Sequence, residues 1–586
     1  MIRTLLKSVR EYKFATFLSM LFIIGEVSIE IFIPFITKDL INDINEGIFD
    51  NIYIYSIKLI ILALCSLTCG ILSGIFCSKA AVGFGKNLRS DLYDKVQTFS
   101  FANIDKFSSS SLVTRMTTDV HDVQFSYMMI IRTAIRAPLV LIFSTIMAFR
   151  VGGNLGLIFV LVVPMIGLGL FLIAKTAMPL FDKVFIKYDN FNSSVQENIN
   201  GIRVVKSYVR EEYETKKFKK ASNELYTDFV KAEKVVAFNA PLMNFSMYLV
   251  STALCVVGSI ACIKATTDNP LWGLDLDIGS LQTLLVYGIQ ALMSLIMLSM
   301  IFVIVSISFA GMKRIVEVLR ETPTIQNNDN PIYEVTNGDI DFDNVSFKYS
   351  ENAERNALEN INLHIKSGQT VGILGGTGSS KTTLIQLISR IYDTTEGKVS
   401  VGGIDVKDYD LETLRNNVSV VLQKNLLFSG TVMDNLRWGN ENATEEEIIN
   451  VCKIAQAHDF IMANPEGYQK VIERGGVNVS GGQKQRICIA RALLKNPKVI
   501  IFDDSTSAVD TKTDRLIRTG LRENIPNVTK IIIAQRISSI EDCDMIVVMD
   551  NGHIDQIGKH GDLIKTNKIY QEVYETQNQV GGNDYE

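Results

Sequence analysis

Polar positions fall along this 586-residue chain in two regimes. In the first half, charge-free stretches recur: 20 residues between Lys58 and Lys79, 24 between Arg150 and Lys175, 29 between Lys234 and Lys264, and 35 between Asp277 and Lys313. Each reaches the roughly 20 residues that a helix needs to cross a bilayer. Two further apolar stretches hold charges: residues 14–36 contain Glu26 and Glu30, and residues 128–149 contain Arg132 and Arg136. The pattern predicts six spans in a helical membrane domain over residues 1–320, at about 14–36, 58–79, 128–149, 154–175, 236–264 and 278–312. The N-terminal run is too long for a cleaved signal peptide and reads as the first span.

The segments between spans set an orientation. Residues 175–234 carry twelve Lys or Arg, and residues 79–126 are also long and charged, whereas the turn Arg150–Asn154 is short. The other two connections hold Asp39, Asp43, Glu46 and Asp50, or Asp268, Asp275 and Asp277. The cytoplasmic bias of Lys and Arg then places both termini and both long loops inside a cell membrane. Apolar residues at helical spacing (Leu88, Leu92, Val96 and Phe99; Val204, Tyr208 and Tyr213) extend the helices into those loops. Glu26 and Glu30 lie on one helix face, open to reading as a cation-attracting patch, as partners in interhelical hydrogen bonds, or as groups close to the outer headgroups. Arg132 and Arg136 belong at a span end or beside an acid.

Composition agrees with a membrane protein. Hydrophobic residues make up 47%, charged residues 21%, and mean hydropathy is +0.19. A net charge of −5 argues against a nucleic-acid partner held by a basic surface. Eight scattered Cys without a CxxC pair argue against a disulfide framework or zinc site.

From Gly338 the pattern changes. Ile340, Phe342, Val345 and Phe347 alternate as in a half-buried strand, and short β-branched runs then alternate with helical stretches. The expectation is an α/β domain with a P-loop over residues 338–575, a linker at 321–337 and a polar tail at 576–586. After the strand Thr370–Leu374 come Gly375, Gly376, Thr377, Gly378, Ser379, Ser380, Lys381 and Thr382, with Thr383 opening a helix. Small residues let backbone N–H groups wrap phosphates, Lys381 would reach the β- and γ-phosphates, and Thr382 would hold Mg²⁺. Ser380 stands where Gly ordinarily precedes the Lys. The strand Val499–Phe502 ends in Asp503 and Asp504, with Asp503 a second Mg²⁺ contact.

With Val479-Ser480-Gly481-Gly482-Gln483 some twenty residues upstream, the chain resembles the ATP-binding cassette (ABC) family, whose signature loop has Leu in place of Val479. The resemblance covers the whole chain, six spans and one cassette, as in half-size exporters. It implies that Tyr349 stacks on adenine, that Gln423 is the Q-loop residue reaching Mg²⁺ and the attacking water, that Glu473–Gly475 is the exporter X-loop, and that Asp510 is the D-loop acid. It also implies cassettes working in head-to-tail pairs, so that Ser480, Gly481, Gly482 and Gln483 complete a nucleotide site on a partner.

Two catalytic positions depart from the family. Asp504 replaces the usual Glu and is shorter by one C–C bond, about 1.5 Å. Gln535 replaces the usual His, and none of the five His takes its place. A positioned general base contributes about 10²–10⁴-fold, so a site that binds ATP and hydrolyses it slowly is expected. That in turn implies a second half-transporter subunit, as in heterodimeric bacterial multidrug exporters that move amphiphilic small molecules. A homodimeric lipid or peptide exporter, or an ATP-gated or regulatory membrane protein, stands as the alternative.

Overall fold

A computed structural model describes residues 1–265, 276–350, 353–504 and 509–581. It forms two compact units: Met1–Gln97 with Ser108–Glu321, and Thr98–Phe107 with Thr322 onward.

The first unit is helical, built from Lys13–Asn45, Ile52–Gln97, Val120–Gly152, Leu157–Asn200, Glu211–Ala237, Asn239–Ala265 and Ile278–Arg320. Among the described residues, five continuous helical runs are long and apolar enough to cross a membrane. The third and fourth predicted spans both lie in one of these, Ser109–Asn200, which the tight turn Gly153–Gly156 divides. At about 1.5 Å per residue its 92 residues far exceed one bilayer thickness. The helix Ile52–Gln97 leaves Ile57, Ile60, Leu64, Leu67, Ile71 and Ile75 exposed, an apolar stripe suited to lipid rather than water.

Leu284, Ala291 and Leu295 of Ile278–Arg320 are buried with Leu155 of the turn Gly153–Gly156 and with Phe159, Val162 and Leu254 from two other helices. Pro34 lies inside Lys13–Asn45 and interrupts its hydrogen-bond ladder. The last helix uses the carbonyls there: Tyr287 donates its hydroxyl to Ile31 O at 2.8 Å, and Thr283 donates to Pro34 O at 3.0 Å. Lower on the same seam Arg314 holds the buried Asp119 carboxylate, and Arg115 donates to Arg314 O and to Glu317.

Charges within the predicted spans find each other. Arg136 forms ion pairs with both Glu26 and Glu30, the second at 2.7 Å. The four-residue spacing of the glutamates puts both within reach of one guanidinium. A Cβ at Gly70 would lie 3.5 Å from the Glu26 carboxyl carbon, so Glu26 lies within contact distance of the neighbouring helix. The Glu pair is thus an interhelical tie rather than an open cation patch, and Arg136 is the residue paired with acid. Arg132 is exposed.

The second unit carries two larger sheets. Strands Leu358–Ile365, Ile340–Phe347, Glu396–Val401 and Ile404–Asp405 form an antiparallel sheet in that order. The six-stranded sheet runs His553–Gly558, Met545–Asp550, Thr370–Gly375, Thr529–Ile533, Val499–Asp503, Val418–Val421, parallel except for its first strand. Its central strands are apolar on both faces, as burial between helical layers requires.

Three expected boundaries shift. Residues 98–107, expected within the membrane domain, belong to the cassette unit: Asn103 donates to Thr322 O and accepts from Thr324 N–H, and Tyr392 donates to Asp105 at 2.7 Å. The linker 321–337 is tethered: Ile332 pairs with Tyr409, and Asn327 and Asn328 bind Asp410 and Asp408. The expected tail begins inside the helix Lys568–Gly581. Polar composition misled there, because one face of that helix is apolar.

Replacing Arg136 by Met strands two carboxylates among apolar helices. The variant should lose about 3 kcal/mol, the low end for a broken buried pair because Glu30 stays partly exposed. The triple change R136M/E26Q/E30Q should recover most of it in thermal unfolding of the detergent-solubilised chain.

Candidate nucleotide site

Four adjacent parallel strands deliver the site. Ile533 is level with Ile373 on one side and Asp503 on the other, and Val421 is level with Phe502. The residues that follow each strand therefore emerge together at its carboxyl end, the place where open α/β sheets bind ligands.

After Thr370–Gly375 the chain turns through Gly376, Thr377, Gly378, Ser379 and Ser380 into the helix Lys381–Ile388. Gly378 has φ +83°, a conformation suited to glycine. Ser380 also sits in the left-handed region, φ 68° and ψ 25°, with no side-chain cap to offset it. Lys381 donates to Gly375 O at 2.9 Å, Gly376 O at 2.7 Å and Ser379 Oγ at 3.1 Å. Burial lowers its pKa, while Asp503 and Asp504 pull it back up. Thr383 and Gln386 on the same helix hydrogen-bond the Tyr349 hydroxyl, at 2.8 and 3.3 Å. The Tyr349 ring is itself half exposed, edge-on to Phe347 and Tyr392.

Thr382 Oγ1 donates to Asp503 Oδ1 and Oδ2 at 3.0 and 3.1 Å. Asp503 is 4% exposed, and burial raises its pKa, opposed by the Thr382 hydrogen bond and by Lys381. The next residue, Asp504, continues the ladder by donating its N–H to Ile533 O. Its φ of 47° is left-handed, where Asp is among the better tolerated side chains. Its carboxylate oxygen Oδ2 accepts from Gln535 Nε2 at 2.9 Å and from Gln423 Nε2 at 3.5 Å. The phosphate loop, Asp503, Asp504, Gln423, Gln535 and Tyr349 thus lie together at this end of the sheet.

Two predicted elements stand apart from this cluster. Ser480 caps the helix Gly481–Leu493: it accepts from Gln483 N–H, and Gln483 Oε1 accepts from Ser480 N–H. Gly482 O receives Arg486, so the loop Ser480, Gly481, Gly482, Gln483 is rigid by itself. Among the described residues no hydrogen bond joins it to the phosphate loop. Asp510 caps Thr511–Asn524, accepting from Thr513 N–H, which lowers its pKa. The D-loop residues 505–508 lie outside the described residues.

Comparison with known proteins identifies the family. Residues 16–295 match the model of the ABC transporter transmembrane region, and residues 358–507 match that of the ABC transporter domain. The uncharacterized ABC transporter ATP-binding protein YfiB of Bacillus subtilis is 32% identical over 573 residues, 98% of each chain. This chain belongs to the ABC transporter family. Among other relatives of the transporter, ABC transporter B family member 4 of Dictyostelium discoideum is 30% identical over 85% of this chain and 64% of its own. A solved bacterial Atm1-family ABC exporter with ATP bound shares the fold, with a TM-score of 0.83 at 22% identity over 96% of this chain and 99% of its own. The transporter is an ATPase whose hydrolysis drives transport, with a multi-pass membrane unit fused to one cassette.

Sequence reasoning missed Thr382 as the partner that satisfies buried Asp503, Tyr392 beside Tyr349, and the amide grip on Asp504. Each joins residues far apart in the chain, which spacing alone does not report.

Left-handed geometry costs a non-glycine residue about 1–2 kcal/mol. Ser380→Gly should therefore raise stability by about 1 kcal/mol without loss of nucleotide binding, measured by thermal unfolding and photolabelling with an azido-ATP.

Proposed function

We propose that this transporter is one subunit of a heterodimeric exporter of amphiphilic small molecules, with a nucleotide site that binds ATP·Mg²⁺ and hydrolyses slowly. The six spans would lie at the positions read from the sequence, with both termini and the cassette cytoplasmic. The substrate class rests on the resemblance to multidrug exporters. The observation that carries the slow site is the hydrogen bond from Gln535 to Asp504.

In this reading the Gly375–Ser380 backbone and Lys381 take the phosphates, and Tyr349 stacks on adenine. Thr382, Asp503 and Gln423 offer hydroxyl, carboxylate and amide oxygens, the hard donors that suit Mg²⁺. Burial that raises the pKa of Asp503 fits the same role, since a cation keeps that carboxylate ionised. When bound, Mg²⁺ supplies charge neutralisation between the β- and γ-phosphates.

Hydrolysis needs a carboxylate free to orient water and take its proton. Asp504 is short, and two amide groups already point at one of its oxygens. Gln535 donates hydrogen bonds but carries no positive charge to the γ-phosphate. Both features support retention of ATP over turnover. Rapid turnover would then occur at the partner's site, against Ser480, Gly481, Gly482 and Gln483 of this chain, with Asp510 linking the two sites.

Lys381→Ala should abolish photolabelling of this subunit. The purified chain alone should bind ATP but turn over slowly, and Asp504→Ala should change that rate little. The double change D504E/Q535H should raise turnover at least about tenfold. Fast hydrolysis by the unmodified chain that disappears in Asp504→Ala would overturn the reading.

A further inference from the structure

The helix Lys568–Gly581 packs on the cassette core through Tyr570, Val573 and Tyr574, whose spacing places them on one face. Tyr570 is fully buried, and its hydroxyl meets His560 Nδ1 at 2.7 Å. One turn further along that face is Gln577. Its amide nitrogen donates to the main-chain carbonyl of Gln535 at 2.7 Å, and its carbonyl oxygen accepts from the main-chain N–H of Ile537 at 2.9 Å.

A single side-chain amide therefore grips the backbone on both sides of Arg536. It does so where the sheet's own hold loosens, since Ala534 N–H reaches Ile373 O only at 3.4 Å. The gripped turn carries the Gln535 side chain, whose amide points at Asp504.

We propose that Gln577 is a positioning residue for the ATPase site: by fixing the backbone of Gln535 and Ile537 it sets the direction in which Gln535 faces Asp504 and the γ-phosphate. This rests on the reading of Gln535 given above. Gln577 itself touches neither nucleotide nor water. Its effect should appear only in what Gln535 senses, the presence of the third phosphate.

The test uses the full-length chain in nanodiscs and measures ATP and ADP affinities by competition against azido-ATP labelling. Gln577→Leu keeps the bulk and loses both hydrogen bonds, and the apolar face still docks the helix. It should lower the preference for ATP over ADP about fivefold, the size expected for a lost hydrogen bond or two, with ADP affinity unchanged. Gln577→Glu, which keeps the acceptor and loses the donor, should fall between. Gln535→Ala should lower the same preference, and the double variant should be no worse than Gln535→Ala. Equal losses of ATP and ADP binding in Gln577→Leu, or an unchanged preference, would overturn the inference while leaving Gln535 in place. An unchanged preference in Gln535→Ala would instead remove Gln535 from the γ-phosphate, and the role of Gln577 with it.

Discussion

The register of four parallel strands is the constraint on which the nucleotide site depends. Because Ile533 is level with both Ile373 and Asp503, the phosphate loop, the acidic pair and Gln535 leave the sheet at the same height. Sliding any strand by one residue would turn every one of its side chains to the other face of the sheet. It would also carry Asp503 away from Thr382, leaving a nearly inaccessible carboxylate without its hydroxyl partner. The apolar residues of these strands thus do two tasks. They drive burial, and they hold polar groups in a common plane.

The helical unit follows another rule. Inside a bilayer, polar groups must find partners within the protein. Carbonyls beside Pro34 accept from Tyr287 and Thr283, and Arg136 gathers Glu26 and Glu30. These contacts tie the first long helix to the last and to the one beginning at Val120. Polar positions that would weaken a lipid-exposed helix here specify which helices are neighbours.

Local features were the legible ones. The phosphate loop, Asp503 and the signature loop occupy short stretches whose backbone conformation depends on nearby residues, and spans declare themselves by length and lack of charge. The choice of partner for Glu26 was open in the sequence because it depends on helix rotation, and only packing decides it. Residues 98–107 look like a continuation of the preceding helix in periodicity, yet Asn103 and Asp105 bind residues more than two hundred positions away. The helix at 568–581 reads as a cassette end followed by a polar tail. Its apolar face consists of Ile569, Tyr570, Val573 and Tyr574, and Gln577 extends it with hydrogen bonds rather than hydrophobic area.

The bonds from Asn103 to Thr322 and Thr324 also bear on how the chain is made. The partners are separated by 219 and 221 residues. At about 5–20 residues per second, the ribosome takes roughly 10–45 s to reach Thr322 after Asn103 has emerged. Throughout that interval the segment 98–107 waits with its polar side chains unmatched by the surface they will meet, while the helices on either side are already being inserted. The short helix Phe101–Phe107 can reach its final place only after the membrane helices exist and the cassette has begun to fold. Its docking is therefore a late step in biogenesis.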